Sequence, residues 1–359
     1  MDVGRLLRLW VVPTLMYSIL YSISLFYGAL FIVRFLYRWV RAPSVHFWKV
    51  KSREVPPKCL NDPALGNHAY VQLKYVKLHY VEAGDKTKPL MLMLHGFPEF
   101  WYSWRHQLKE FSKDHWVVAV DMRGYGDSEK PEGRSFYRLR YLVEDVKNLV
   151  EALGREECTL VAHDWGGVVA WYFLMIYPKM VSSYVIMGTP HPVVFRKMLI
   201  KSFSQFRKSW YIFFFQLPYL PELYMRISDL AQIKKYFATK KSPSPFSEED
   251  VEAYKFTFGK PGALTPPINF YRATLAPDRG LLKRRATDFK MPRGLLIFGG
   301  EDPYMELEAV DKTRRMVYNL TTEVVPGAGH SVQQEVPDAV NNLMREFLKA
   351  GFEDQVKSE

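Results

Sequence analysis

The stretch "TLVAHDWGGVVAW", residues 159–171, reads as a buried strand, a tight corner and a helix that opens on small residues. Thr159 to Ala162 suit a strand covered on both faces of a parallel sheet. At the corner, where a serine nucleophile would be usual, stands Asp164. The stretch therefore predicts a strand–turn–helix unit that lifts a carboxylate to the edge of a sheet.

The surroundings repeat that unit. "AYVQLKYVKLHYVEAG" (69–84) alternates as two short strands of a hairpin. "PLMLMLHGFP" (89–98) and "HWVVAVDMRGYGDS" (115–128) are apolar runs ending in glycine-rich turns, as expected of strands buried on both faces. Residues 138–153 have helical spacing and stop before Gly154. A strand in "SYVIMGTP" follows, and alternation resumes at "RGLLIFGGEDPY" (293–304) and "TTEVVPGAGHS" (321–331), closing with a helix near 338–351. Alternating strands and helices predict an α/β fold with right-handed crossovers. Residues 191–289 break the rhythm; rich in aromatic and basic side chains and without a buried strand, they read as a helical insertion. The expected order is an apolar segment at 9–33, a basic connector at 34–67, core at 68–190, helical lid at 191–289, core again at 290–350 and a tail at 351–359.

The apolar segment, "LWVVPTLMYSILYSISLFYGALFIV", has no charge in 25 positions. At 1.5 Å per residue it is long enough for a hydrocarbon core of roughly 30 Å. Trp10, Trp39 and several tyrosines offer interfacial anchors. It is too long for the apolar region of a cleaved signal, and Arg34, Arg38 and Arg41 follow in place of a cleavage site. The reading is a single-pass signal-anchor in a lipid bilayer, with the endoplasmic reticulum as the expected membrane. Arg34, Arg38, Arg41, Lys49, Lys51 and Arg53 outnumber Arg5 and Arg8, which places the following chain in the cytosol. The sequon Asn319-Leu320-Thr321 points the other way, since it would matter only in a lumenal domain.

The 359 residues carry a net charge of +11. No basic run interleaved with stacking aromatics accompanies it, so nucleic acid is not the expected partner; part of the excess flanks the apolar segment. Two cysteines, Cys59 and Cys158, make no disulfide framework and no metal site. No phosphate-binding glycine fingerprint precedes a helix, so no metal and no cofactor are expected.

In open α/β sheets, ligands bind beyond the carboxyl ends of the strands. Four strand ends carry reactive or polar groups: His95-Gly96-Phe97-Pro98, Asp164, Asp302 and His330. Singly each has a plain explanation, such as helix capping for an Asp. Together they follow the chain order nucleophile, acid, histidine of the α/β-hydrolase triad. The choice of Asp164 has a chemical reason. A serine that attacked the carbon of an alkylating substrate would be left as an ether, which water cannot cleave there. A carboxylate forms an ester whose carbonyl belongs to the enzyme, and hydrolysis regenerates Asp164.

"HGFPEFWYSWRHQ", "DMRGYGDS", "AHDWGG", "GGEDPYME" and "GAGHS" together closely resemble the epoxide hydrolases of the α/β-hydrolase superfamily, the membrane-anchored vertebrate group above all, over residues 68–350 or so. The resemblance implies an α/β-hydrolase fold, a mostly parallel sheet flanked by helices with a helical lid. It also implies two lid tyrosines that hold the epoxide oxygen. Tyr271, in "PINFYRAT", fits that pattern; Tyr211, five residues before Gln216, fits by place, with neighbouring aromatics as rivals. The implied reaction is attack by Asp164, oxygen activation by Tyr271 and Tyr211, and ester hydrolysis by water that His330 activates while Asp302 orients it. Backbone N–H groups of Phe97 and Trp165 would form the oxyanion hole, with His95, Gly96 and Pro98 supporting the loop. The substrate class is a small-molecule epoxide, expected to be lipophilic from the Phe, Tyr, Leu and Met of the lid. A haloalkane dehalogenase, which shares "AHDWGG", and a catalytically silent membrane-anchored binding protein are the alternatives.

Overall fold

The computed structural model describes residues 12–41, 43, 47–237, 244–274, 278–282 and 291–356. Eight strands form one sheet in the order β1-β2-β4-β3-β5-β6-β7-β8. They are β1 (Asn67–Gln72), β2 (Lys77–Ala83), β3 (Leu90–Leu94), β4 (Trp116–Val120), β5 (Cys158–His163), β6 (Val181–Met187), β7 (Arg293–Gly299) and β8 (Leu320–Val325). β1, β2 and β4 pair antiparallel, and every other pair is parallel.

The continuous apolar runs became the middle of the sheet. Every residue of β3, β4 and β5 is buried, and burying each large aliphatic side chain contributes about 1.5–3 kcal/mol. The antiparallel edge strand β1 alternates exposed and half-buried positions, as a strand with one wet face should.

Between β3 and β5 the chain reverses its direction of travel across the sheet, since β4 lies on the other side of β3. Such a switch point is where an open α/β sheet leaves a crevice at its carboxyl edge. α1 spans Val12–Arg41, α2 Arg105–Phe111, α3 Leu139–Ala152 and α4 Trp165–Ile176. Seven helices then stand between β6 and β7 among the described residues. They are α5 (Pro192–Lys201), α6 (Phe203–Lys208), α7 (Trp210–Phe214), α8 (Leu220–Tyr236), α9 (Glu248–Gly259), α10 (Thr265–Thr274) and α11 (Arg279–Leu282). α12 (Glu308–Arg314), α13 (Val332–Glu335) and α14 (Pro337–Val356) complete the chain.

Two boundaries differ from the sequence reading. The N-terminal helix runs eight residues past Val33, to Arg41, because "RFLYRWVR" has helix-compatible residues and no breaker before Pro43. The last helix continues through Gly351 to Val356, consistent with a single glycine being tolerated in a helix at a cost of about 1 kcal/mol. Trp10, Arg5 and Arg8 lie outside the described residues. α1 is the one helix among the described residues long and apolar enough to cross a membrane.

α1 does not stand free. Its Tyr27 meets Trp210 of α7, with ring centroids 6.1 Å apart. Phe31 meets Phe214 and Tyr224 at 5.4 and 5.6 Å. Gly28 lets the lid approach: a Cβ there would lie 2.6 Å from Leu217 Cδ1. The connector is tied to the lid too, through Arg53, which reaches Asp229 at 2.7 Å and Glu252 at 2.9 Å.

Candidate active site

Asp164 sits between β5 and α4 with φ +46° and ψ −116°, a left-handed conformation that a non-glycine residue adopts only under constraint. The constraint is visible in its neighbours. A Cβ on Gly166 would lie 2.2 Å from the Leu94 carbonyl oxygen, and one on Gly96 would lie 2.5 Å from Asp164 Cβ. The corner can be this sharp only with glycine at both places. Thr189 Oγ1 donates to the Asp164 carbonyl at 2.9 Å and secures the turn from the β6 side.

The carboxylate meets groups from two other strand ends, and a third strand end backs one of them. The Phe97 N–H, in the loop after β3, donates to Oδ1 at 2.8 Å. His330, after β8, places Nε2 3.5 Å from Oδ2. Its Nδ1 lies 2.6 Å from Asp302 Oδ2, after β7. Since a carboxylate only accepts, Nδ1 carries the proton in that pair. Asp302 Oδ1 in turn accepts from the N–H groups of Tyr304 and Met305 at 2.7 and 3.0 Å, so the acid is fixed from both ends.

Burial opposes the charge of Asp164, yet His330 and the Phe97 N–H outweigh it and hold the carboxyl below its usual range. Burial likewise opposes the imidazolium of His330, and the two carboxylates beside it push its pKa well above the ordinary histidine value. Each charge favours the other: His330 draws the Asp164 pKa down, and Asp164 draws the His330 pKa up.

Tyr271 on α10 and Tyr211 on α7 come over this group from the lid. Tyr271 packs edge-on against Trp165 with centroids 4.9 Å apart, and against Phe97 at 5.4 Å. Tyr211 and Tyr271 stand 5.9 Å apart at 84°. Burial keeps both phenols well above the ordinary tyrosine range, with the Asp164 charge adding to it. They therefore remain protonated donors at neutral pH. Gln216 couples them: its Nε2 donates to the carbonyls of Ile212 and Tyr271 at 2.8 and 3.3 Å.

His95 lies beneath the loop, with Nδ1 2.8 Å from the Gly96 carbonyl and Nε2 accepting from the Met122 N–H at 3.1 Å. Burial lowers its pKa, so it stays neutral and structural. The Phe97–Pro98 peptide is cis. All ten residues singled out in the sequence thus gather at one edge of the sheet and under one lid.

The sequence and the fold have known counterparts. Residues 89–337 match the family model of the α/β-hydrolase fold. Epoxide hydrolase 4 of Mus musculus is 39% identical over 93% of this chain and 94% of its own length. Epoxide hydrolase 3 of Xenopus tropicalis is 39% identical over 84% of this chain and 83% of its own. The crystal structure of a Bacillus megaterium epoxide hydrolase with an inhibitor superposes with a TM-score of 0.70. It is 34% identical and covers 78% of this chain and 100% of its own. This chain belongs to the epoxide hydrolases.

Two features of this epoxide hydrolase escaped the sequence reading. Glu99, wholly buried, accepts from the Gly96 N–H at 2.9 Å and the Gln334 amide at 2.9 Å, and its Oε2 lies 2.9 Å from His163 Nδ1. His163 Nε2 donates to the His330 carbonyl at 3.0 Å. Burial works against the Glu99 charge, but His163 and the Gly96 N–H outweigh it and keep its pKa low. One carboxylate thus ties together the loop after β3, the residue before Asp164 and the His330 backbone. The second feature is Tyr304, whose ring lies 5.0 Å from His330 and 5.6 Å from Tyr211. Its place two residues after Asp302 was the available signal.

Proposed function

We propose that this protein converts a lipophilic epoxide to a vicinal diol through a covalent alkyl ester on Asp164. The observation that carries the proposal is the Asp164 carboxyl, held at its corner by the Phe97 N–H and His330, with Tyr271 of the lid packed on Phe97 and Trp165 and Tyr211 packed on Tyr271.

In the first half-reaction Asp164 Oδ2 attacks an epoxide carbon. The ring C–O bond breaks, and the oxygen takes a proton from Tyr271 or Tyr211. Phenols held above their usual pKa of about 10 can hydrogen-bond to that oxygen early and give up a proton late, to an alkoxide that is far more basic. Oδ1 stays with the Phe97 N–H at 2.8 Å, which leaves Oδ2 to attack.

Esterification removes one of the two negative charges that keep His330 protonated. Its pKa then falls; its proton passes through solvent to the tyrosinate left by ring opening, and the neutral imidazole becomes the base for water, oriented by Asp302 2.6 Å away. Water adds to the ester carbonyl, and the new oxyanion forms on Oδ1, which already has the Phe97 donor; the Trp165 N–H supplies the second. Collapse releases the diol and restores the Asp164 carboxylate.

The lining supports a lipophilic substrate: Phe97, Phe215, Trp165 and Tyr304 surround the two phenols. The apolar α1 supports anchoring to a lipid bilayer, as a signal-anchor of the endoplasmic reticulum with the hydrolase on the cytosolic side. Incubation with lipid and aryl epoxides, with Asp164→Asn as control, tests the activity. Diol formation by the wild type alone is expected. Chloride release from chloroalkanes without any diol from epoxides would make it a dehalogenase, and no covalent adduct with any epoxide would make it a silent binder.

A further inference from the structure

The outer surface of α1 and of the lid raises a question of depth. A bilayer crossing takes about 20 residues. Counted back from Arg34, the first charge, those residues are Thr14 to Val33. Yet Tyr27, Gly28 and Phe31 lie inside that span and are packed on the lid. The last seven residues of the span, about 10 Å of helix, therefore share their depth with α7. Over the same stretch α1 also keeps apolar side chains exposed: Leu30, Ile32 and Val33 are 38%, 41% and 64% accessible. Such side chains belong against lipid.

We propose that the lid is itself a membrane-docking surface, pressed with α1 into the interface of an anionic bilayer. Three of its side chains are large, apolar and more than three-quarters exposed: Ile200 (77%), Phe203 (81%) and Tyr219 (84%). Ile200 lies in the last turn of α5 and Phe203 starts α6, the helices that lead into α7, and Phe206 of α6 packs on Phe213 of α7 at 5.1 Å. Tyr219 directly precedes Leu220, the second lid side chain facing Gly28.

Basic residues flank them. Arg196, Lys197, Lys201 and Arg207 are exposed on α5 and α6, as are Arg34, Arg38 and Arg41 on α1. Lipid-facing apolar side chains bordered by Lys and Arg mark an interfacial element, and the positive charge complements phosphatidylserine or phosphatidylinositol headgroups. Trp39 and Trp48, both exposed and 6.5 Å apart, add the interfacial aromatics. A bilayer is favoured over a protein partner because the lid packs on turns of α1 that the bilayer crossing requires, and because its basic residues complement anionic headgroups. α7 carries Tyr211 on one side and Trp210 and Phe214 on the other, so the bilayer is one helix from the pocket. That last consequence rests on the proposed function; the docking itself does not.

The test uses the full chain reconstituted in phosphatidylcholine vesicles with and without phosphatidylserine. In a Cys59→Ser background, nitroxide labels are placed at Phe203→Cys, Tyr219→Cys and, on the outer strand β1, Tyr70→Cys. Relaxation by oxygen, which partitions into hydrocarbon, is compared with relaxation by a water-soluble nickel chelate. The oxygen-to-nickel ratio at 203 and 219 should exceed that at 70 several-fold. Charge reversal of Arg196, Lys197, Lys201 and Arg207 to Glu should lower it in the phosphatidylserine vesicles only. Ratios at 203 and 219 equal to that at 70 would overturn the proposal. So would labels shielded from both reagents in a protein-concentration-dependent way, which would mean a second copy covers the patch. No turnover is read, so an inactive chain with immersed labels would sink the epoxide reading and leave the docking intact.

Discussion

His330 Nε2 and Asp164 Oδ2 face each other at 3.5 Å, an ion pair rather than a close hydrogen bond. The base and the nucleophile of the proposed reaction are thus in electrostatic contact before substrate arrives. Each holds the other in its charged form, and neither can change charge without moving the pKa of its partner.

That coupling predicts a pH shift. Asp164 raises the His330 pKa, so Asp164→Asn should lower it, and the imidazole should lose its proton at lower pH than in the wild type. Titration of the His330 ring by NMR reads the change. In the wild type the ester-hydrolysis rate should rise with pH as His330 deprotonates, while ester formation should persist where His330 is protonated; single-turnover rates across pH separate the two. An unchanged His330 titration in the Asn variant would remove this part of the mechanism.

His330→Gln should let the ester form and prevent its hydrolysis. Intact-protein mass after brief exposure to an epoxide should rise by the mass of one substrate, and diol release should fall by about 10²–10⁴-fold, the usual contribution of a general base. A variant that neither accumulates adduct nor loses rate would show that His330 is not the base.

The tyrosines should separate from the base by the step they affect. Tyr271→Phe should slow ester formation by about 10²–10³-fold, by analogy with loss of one donor to a developing oxyanion, and leave hydrolysis of a preformed ester nearly unchanged. Tyr211→Phe should act on the same step. If only one variant has an effect, the other ring is packing.

These reactive groups were legible because each is attached to a local pattern. Asp164, Asp302 and His330 follow apolar strands and stand at glycine-bearing corners, and Tyr271 lies in a helical motif with Asn269 and Arg272. Contacts between distant segments left no such mark. Glu99 reads as the end of "HGFPE", yet its partners are His163, 64 positions away, and Gln334, 235 away. Nothing local in "FYGALFIVRF" says that Tyr27 and Phe31 will face a lid helix instead of lipid; in an all-apolar helix every face looks alike.

The Glu99 network predicts a stability effect with its own signature. Removing one partner of a buried ion pair costs about 3–5 kcal/mol, so Glu99→Ala should lower the unfolding free energy by about that amount. Chemical denaturation should show a lower midpoint with an unchanged slope. A loss below about 1 kcal/mol would mean that His163 and the glutamines find other partners.

The central claim is that the Asp164 carboxylate becomes part of an ester, and isotope placement reads it directly. Excess enzyme is mixed with an epoxide in heavy-oxygen water for one turnover, and both the diol and the peptide containing Asp164 are weighed. The covalent mechanism puts the heavy oxygen into the Asp164 carboxyl and leaves the first diol unlabelled. Heavy oxygen in the first diol with an unlabelled Asp164 would mean that water attacks the epoxide directly, and would contradict the mechanism.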